Sequence, residues 1–307
     1  MMIQSPLNYT GGKFKLLPQI LSLFPDDIDT FVDLFCGGCN VGLNIDCSCV
    51  VYNDINRNLL YLYNTLKNLD KESVLEWVYQ IIDKYNLSLV SKKGYSGYGR
   101  ESSKGLGDYN RDKFIRLRAD FNKKVKNNNL DYYCYVMLYV MIVYAFNNQI
   151  RFNAAGEFNL PVGKRDFNKK MEQKLCSFID RIKEQNCIFS CCDFRDFNVR
   201  SLTHRDFVYV DPPYLITCAA YNEQGGWNEA CEIDLLHFLD MLNKNNIRFA
   251  LSNVLRSKGK ENKILIEWLD SRGDTLRAIP LKYSYSNSNY HTKDRVSLSE
   301  EVLIVNY

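Results

Sequence analysis

Histidine is nearly missing from this chain: 307 residues include three, His204, His237 and His291. Their spacing fits neither a metal-ligand set nor a catalytic triad, so no chemistry centred on imidazole is expected. No run of about 18 apolar residues occurs, which argues against a membrane-spanning helix. Met1-Met2-Ile3-Gln4-Ser5-Pro6 lacks the basic and apolar regions of a signal peptide, and the cytoplasm is the expected compartment. Eleven cysteines would suit a small exported disulfide scaffold, but in a chain of this length without an export signal they are expected to stay reduced. Cys36-x-x-Cys39 followed by Cys47-x-Cys49 has the wrong second spacing for a zinc knuckle, so no metal is expected. Cys191 and Cys192 follow an apolar run and read as core. No internal repeat is visible. Two phosphate-binding patterns are absent as well: there is no G-x-G-x-x-G, and Gly11-Gly12-Lys13 lacks the spacing of a P-loop.

Charge is plentiful but uneven. The net charge of +3 conceals a middle segment, residues 84–170, with 17 Lys and Arg against 7 Asp and Glu. The rest of the chain carries 22 against 29. A basic middle inside an acidic remainder points to a polyanion held by one part of the molecule. A solvated lysine-rich helical face would produce the same count.

Tyr9-Thr10-Gly11-Gly12-Lys13, followed by Leu16, Leu17, Ile20 and Leu21, reads as a glycine turn entering a helix. Residues 31–35 read as a strand, and Cys36-Gly37-Gly38-Cys39-Asn40-Val41-Gly42 as a glycine-rich turn entering a second helix. Residues 50–54 form another strand, ending in Asp54. This is the opening of a Rossmann-like unit: the glycines admit a ligand to the backbone, and the acid accepts hydrogen bonds from ribose hydroxyls. Without the dinucleotide fingerprint, a nucleoside lacking pyrophosphate fits better than a dinucleotide.

Helical periodicity runs over residues 58–84. Residues 92–110, rich in Gly, Ser and Lys, read as an exposed loop. Residues 114–125 read as a basic helix, and 132–146 as an almost wholly apolar one forming the centre of the middle segment. Residues 150–161 alternate around a glycine turn as a β-hairpin, flanked by Asn147, Asn148, Gln149, Lys164 and Arg165. After a helix near 170–183, candidate strands lie at 188–192, 207–211, 247–253 and 302–305, with a helix at 232–242. The expected fold class is α/β: a Rossmann-like sheet in residues 1–57 and 176–307, interrupted by a mainly helical recognition domain, 58–175, that carries the hairpin.

Phe207-Val208-Tyr209-Val210-Asp211-Pro212-Pro213-Tyr214 carries the chemistry. Four apolar, β-branched or aromatic residues suit a buried strand, and two prolines end it on a stiff turn at the strand's carboxyl end, where open α/β sheets bind ligands. A carboxylate and a proline carbonyl there can accept both hydrogens of an exocyclic amine and turn its lone pair outward, while Tyr214 offers a face for a base. Together with the glycine turn and Asp54, this suits S-adenosyl-L-methionine as the methyl donor. In duplex DNA the acceptor amine is stacked inside the helix, so the base must be flipped out.

Asp211-Pro212-Pro213-Tyr214, Phe35-Cys36-Gly37-Gly38 and Gly11-Gly12-Lys13 occur in the order typical of Dam-type DNA adenine methyltransferases, and residues 151–164 resemble that family's recognition hairpin. Residues 31–38, 208–217 and 252–262 are especially similar to Dam-type enzymes of tailed bacteriophages. The resemblance implies a catalytic tetrapeptide Asp211, Pro212, Pro213 and Tyr214, with cofactor contacts at Tyr9, Gly11, Lys13, Phe35, Gly37, Asp54 and Asp211. It implies contacts to double-stranded DNA at Phe146, Asn147, Gln149, Arg151, Pro161, Lys164 and Arg165, and GATC as the usual target. Tyr9 stands where many relatives have Trp, Cys39 where bacterial members have glycine, and Gln149 where relatives carry an apolar intercalating residue. A monomer without an obligate protein partner is expected. Methylation of the cytosine amine rests on the same chemistry, although cytosine enzymes usually carry Ser at the position of Asp211. RNA as the substrate is disfavoured by the hairpin. From another class, a catalytically silent DNA-binding protein would keep the fold; the intact tetrapeptide and Lys13 count against it. A nicotinamide-dependent oxidoreductase fits least.

Overall fold

The computed structural model of the chain describes residues 2–9, 11–217, 226–282 and 299–307, so Thr10 and His291 lie outside the described residues. In chain order the helices longer than three residues are α1 (Leu17–Leu21), α2 (Arg57–Asn68), α3 (Lys71–Lys84), α4 (Val90–Lys93), α5 (Gly107–Lys126), α6 (Tyr132–Tyr144), α7 (Lys169–Glu184), α8 (Glu229–Lys244) and α9 (Lys263–Arg272). The strands are β1 (Thr30–Asp33), β2 (Cys49–Asn53), β3 (Cys187–Ser190), β4 (Phe207–Val210), β5 (Arg248–Ser257), β6 (Lys260–Glu261), β7 (Arg277–Pro280) and β8 (Glu300–Val305). They belong to two units. The first comprises Met1–Gly12, Gly37–Asn44 and Asn56–Phe189; the second comprises Lys13–Cys36, Ile45–Ile55 and Ser190–Tyr307. Among the described residues no helix is long and apolar enough to cross a membrane, and no group of three or more His, Cys, Asp or Glu is placed to hold a metal ion.

The second unit is built on a mixed sheet ordered β2-β1-β4-β5-β8-β7, with β6 beside β5. β1 runs parallel to β2 and β4, and β4 parallel to β5, whereas β8 lies antiparallel to β5 and β7 antiparallel to β8. This is the expected Rossmann-like sheet. All four residues of β4 are buried, as a strand covered on both faces requires. Alternation divides its side chains by kind. Val208 and Val210 join Val32, Leu235, Leu239, Phe249 and Trp268 in one apolar layer. On the other side Phe31 stacks on Phe207 at 5.7 Å, and Phe24 and Tyr307 close on Phe207 at 4.7 and 5.6 Å. Each such side chain contributes roughly 1.5–3 kcal/mol on burial, which offsets the shortness of the strand.

β7 was not foreseen. Its side chains are mostly exposed, as an edge strand allows, so it carries no apolar alternation to read. The expected helix after the cysteine–glycine turn is also absent; only a short 3-10 turn, Gly42–Asn44, forms. The Leu43 and Gly42 carbonyls accept bonds from the Arg181 and Gln185 side chains, at 2.8 and 2.9 Å, which tie this turn to the end of α7.

In the first unit, α6 is buried from Cys134 to Tyr144, and α2, α3 and α5 pack around it. A helix apolar on every side has no stable place but a core. The periodic run over 58–84 is two helices, broken where Asp70 accepts from the Ser73 N–H at 2.7 Å and caps α3. The expected loop at 92–110 is partly helical: α4 ends at Lys93, a 3-10 turn spans Ser96–Tyr98, and α5 begins at Gly107. Tyr98 draws this stretch inward, its hydroxyl accepting from the Leu89 N–H at 2.8 Å.

The second unit also contains a buried carboxylate with no cationic partner among the described residues. Glu232 on α8 is fully buried; one oxygen accepts from Asn253 and Asn262 at 3.1 and 2.7 Å, the other from Trp227 at 2.6 Å. It joins α8, β5 and the entry to α9. Each buried donor left unpaired costs about 1–3 kcal/mol. Glu232→Ala is therefore expected to lower the urea midpoint by the equivalent of at least about 2 kcal/mol; a midpoint equal to wild type would show that these donors find other partners.

Candidate functional site

The prolines after β4 hold Asp211 and Tyr214 at the carboxyl end of the strand, and Lys13, on the 3-10 turn Lys13–Lys15, meets them there. The Lys13 ammonium, 5% exposed, lies 2.8 Å from Asp211 Oδ1 and 4.9 Å from the centre of the Tyr214 ring. The Tyr214 hydroxyl lies 3.0 Å from the same Asp211 oxygen and 3.2 Å from Glu301 Oε1. Glu301 Oε1 is 3.9 Å from the Lys13 ammonium, so one cation serves two carboxylates. Burial above all raises the Glu301 carboxyl; Lys13 opposes this, the Asp211 charge adds to it, and the Tyr214 hydroxyl opposes it. Burial and the neighbouring Asp211 charge hold the Tyr214 hydroxyl well above its ordinary value, so it stays a proton donor at neutral pH. Behind it the Tyr209 hydroxyl and Ser252 Oγ pair at 2.8 Å.

Glu301 was not singled out from the sequence. The signal was the pair Glu300-Glu301 entering an apolar strand. Successive residues on a strand face opposite sides, so only one of two acids can reach water freely. Glu300 meets Arg256 at 2.9 Å, and Glu301 turns inward.

At the end of β2, Asn53 is 1% exposed. Its amide donates to the Leu34 and Cys192 carbonyls at 3.0 and 3.1 Å, and its side-chain oxygen accepts from the Cys192 N–H at 3.3 Å. The ends of β1 and β2 are thus tied together. Asp54 follows, buried, its N–H donating to the Ser190 carbonyl at 3.3 Å. Phe35 lies at the end of β1 with Phe194 and Trp227 at 5.5 and 5.8 Å, and Ile55 exposes 59% of its surface. Cys191 is exposed and Cys192 half-buried, unlike the core cysteines expected; they lie beyond the end of β3, where the chain turns back to Asn53.

In the first unit Tyr9 and Gly37 touch. Gly37 has φ 43°, and a Cβ there would come within 2.9 Å of the Tyr9 ring. The Tyr63 hydroxyl donates to the Gly37 carbonyl at 2.7 Å. Cys39 has φ 60°, a region that glycine enters without strain. Gly11 is exposed at φ 79°.

The segment 146–165 lies wholly in this unit. Phe146 is 50% exposed; Asn147, Pro161, Lys164 and Arg165 are also exposed, and Gln149 and Arg151 are partly buried. Asn148 is instead buried, accepting from the Asn8 amide at 3.2 Å and donating to the Val143 carbonyl. The expected hairpin has its turn at Asn153–Gly156 and one isolated bridge, Phe152↔Phe158, rather than a continuous ladder. Two backbone bonds flank the bridge, from the Asn153 N–H to the Glu157 carbonyl at 2.9 Å and from the Asn159 N–H to the Arg151 carbonyl at 3.2 Å; the Phe158 N–H and carbonyl face the other way, where Asn122 on α5 accepts from one at 2.9 Å and donates to the other at 3.0 Å. Arg151 Nε donates to Asn159 Oδ1 at 2.7 Å. Farther on, Phe146 N–H donates to the Pro161 carbonyl at 2.9 Å and Gly163 N–H to the Tyr144 carbonyl at 2.7 Å.

The mixed sheet, with its Asp-Pro-Pro-Tyr turn after β4, agrees with a Rossmann-like methyltransferase fold. Residues 9–296 match the family model of the D12 class N6 adenine-specific DNA methyltransferases, and the chain belongs to that family. It is 41% identical over 311 residues to the type II methyltransferase M.FokI of Planomicrobium okeanokoites, covering 99% of this chain and 43% of that protein. It is 38% identical over 311 residues to modification methylase StsI of Streptococcus sanguinis, with the same two coverages, 99% and 43%. Against the DNA adenine methylase of Escherichia coli strain K12 the identity is 29% over 217 residues, 70% of this chain and 66% of that protein. The chain thus spans less than half the length of the first two relatives.

Gly163 yields a direct test of how the 146–165 segment is held. A Cβ on it would lie 2.3 Å from the Ala145 carbonyl oxygen, a backbone atom that cannot swing aside. Gly163→Ala is expected to cost about 1–3 kcal/mol, as overpacking does, read by urea denaturation. An unchanged midpoint would mean that the segment is not seated on the end of α6 in solution.

Proposed function

We propose that the chain transfers a methyl group from S-adenosyl-L-methionine to the exocyclic amino nitrogen of adenine in duplex DNA. The observation that carries this reading is the Lys13–Asp211–Tyr214 constellation on a stiff turn at the carboxyl end of β4, in a chain of this family. The residues at the neighbouring strand ends suit the donor: the buried Asp54 carboxylate offers acceptors to a ribose, and Phe35 and Ile55 offer apolar surface to an adenine ring. When bound, the donor supplies a methyl group activated by the positive charge on its sulfur. Lys13 and Tyr214 both bond Asp211 Oδ1, which leaves Oδ2 to the amine. Asp211 Oδ2 and the Pro212 carbonyl accept the two amino hydrogens and turn the lone pair away from the ring. The Tyr214 ring supplies a stacking face, so adenine must leave the duplex stack to reach it.

We assign residues 58–175 to target recognition. Phe146, Asn147, Gln149, Arg151, Pro161, Lys164 and Arg165 are the candidates for contact with DNA, and GATC is the target implied by the resemblance. Asn159 holds Arg151 twice, its side-chain oxygen accepting from Nε at 2.7 Å and its carbonyl from Nη2 at 3.4 Å, which steadies the guanidinium; the remaining terminal N–H groups suit the two major-groove acceptors of one guanine.

The primary test is transfer of labelled methyl from the donor to duplexes carrying GATC and every one-base variant, followed by base analysis. Label is expected in adenine. Label in cytosine, or in no base, would sink the reading. Asp211→Ala is expected to reduce kcat by on the order of 10²–10³-fold, as loss of one preorganised transition-state hydrogen-bond partner does, with DNA affinity nearly unchanged. A variant turning over at the wild-type rate would remove Asp211 from the chemistry.

Arg151→Ala is expected to cost about 1–3 kcal/mol on the preferred duplex and to relax discrimination at one guanine. Lys164→Ala should weaken all duplexes alike and flatten the salt dependence. Equal slowing of every duplex by Arg151→Ala would make Arg151 a phosphate clamp.

A further inference from the structure

The Tyr214 hydroxyl stands between two acids, 3.0 Å from Asp211 Oδ1 and 3.2 Å from Glu301 Oε1. A phenol has one proton to donate and can accept another on its oxygen. With both acids ionised it donates to one of them. Once one is protonated, the same oxygen can accept from that acid while its own proton bonds the other. The Lys13 ammonium, at 2.8 and 3.9 Å from the two carboxylates, neutralises one negative charge and leaves the cluster one short. Such a group is built to take up a proton. Methylation of an amine releases one.

Resting on the methyltransferase reading above, we propose that Glu301 is the terminal acceptor of the amino proton, delivered from Asp211 through the Tyr214 hydroxyl. The adenine nitrogen uses its lone pair to bond the methyl carbon, and the pair of the broken carbon–sulfur bond stays on sulfur. The nitrogen then carries one proton too many. That proton moves to Asp211 while the N–H pair returns to nitrogen. A half-turn of the Asp211 carboxyl about its Cβ–Cγ bond then carries that proton from the Oδ2 side to the side of Tyr214, whose oxygen takes it as the Tyr214 hydroxyl proton moves to Glu301. Tyrosine ends neutral, Asp211 ends ionised, and Glu301 holds the proton. Glu301 touches neither substrate and acts through Tyr214, so it is a positioning residue.

Among the described residues the groups facing Glu301 are Lys13, Asp211 and Tyr214, with Tyr209 behind them on β4. In register on β5 its neighbour is the apolar Val254, and the Leu281 N–H beyond β7 bonds its backbone carbonyl. Burial raises the Glu301 carboxyl, so it holds a proton at a pH where an exposed glutamate would not. An acceptor must start ionised, so the rate should fall as pH drops through this raised value.

The test uses the full chain with a duplex oligonucleotide. Single-turnover methylation is followed across pH for wild type, Glu301→Gln, Tyr214→Phe and the double variant. Each single variant is expected to lose on the order of 10²-fold in rate, the lower end for general acid–base work, with KM for donor and DNA nearly unchanged. The double variant should be no slower than the singles, because both interrupt one path. The acid limb of the wild-type pH profile should vanish in Glu301→Gln. Independently of activity, carbon-13 NMR of labelled glutamate carboxyls in the donor-free chain should show one resonance titrating above the ordinary range. It should be absent in Glu301→Gln and displaced in Tyr214→Phe. Wild-type rate and profile in Glu301→Gln would overturn the proposal alone, as would a slower variant that keeps the wild-type acid limb. A wild-type chain that methylates no duplex would instead overturn the functional reading, and this inference with it.

Discussion

An ammonium with 5% of its surface exposed cannot stand alone, and Lys13 is placed against Asp211 at 2.8 Å. Removing a charge from water costs several kcal/mol even after relaxation, and only close opposite charge with further hydrogen bonds offsets that. Asp211 therefore has to be held firmly, and the surrounding structure does this. β4 is buried on both faces between parallel neighbours, and the prolines after it leave its last carboxylate little freedom. Tyr214 adds a hydroxyl to the same oxygen and a ring to the same cation. Glu301 supplies a second negative charge from β8. The pair is weak evidence for stability, since apolar residues of equal size would often do as well. The Lys13 and Tyr214 contacts of the Asp211 carboxylate both fall on Oδ1, which on the proposed reading turns Oδ2 to the amine.

Away from that cluster the chain splices much of its irregular backbone with asparagine. Asn53 joins the ends of β1 and β2, Asn122 takes both backbone groups of Phe158, and Asn262 donates to the buried Glu232. In the first unit Asn40 accepts from the Ser5 N–H at 3.0 Å and Asn44 bonds both backbone groups of Ile3. An amide carries a donor and an acceptor on one short stem, so it can satisfy an orphaned backbone N–H and C=O together without burying a charge. This explains how turns close to functional backbone stay ordered without becoming regular helix or strand.

Much of this was legible in the residues. The strands β1, β2, β4 and β5 announced themselves as β-branched and aromatic runs, and α6 as a run too apolar for a surface. Asp211 and Tyr214 could be placed at a strand's carboxyl end because proline stops a ladder for local steric reasons. Lys13 beside a glycine turn, and the excess of positive charge in residues 84–170, needed only counting. Each of these signals lies within a few residues of its consequence.

What escaped the sequence depends on partners far along the chain. Where a helix was expected after Gly42 a short turn forms instead, tied by its carbonyls to Arg181 and Gln185, 138 and 143 residues on. The outward-facing backbone groups of the hairpin's Phe158 are met by Asn122, 36 residues before it. Glu301 reaches Tyr214 across 87 residues of chain. Local sequence determined which groups were available: an acid on a proline turn, a lysine, a tyrosine, a glutamate entering a strand. Only the tertiary structure decided that one ammonium would be shared by two carboxylates, because hydrogen bonds and charges act over a few ångströms of space and sheet register decides which distant residues fall within that range.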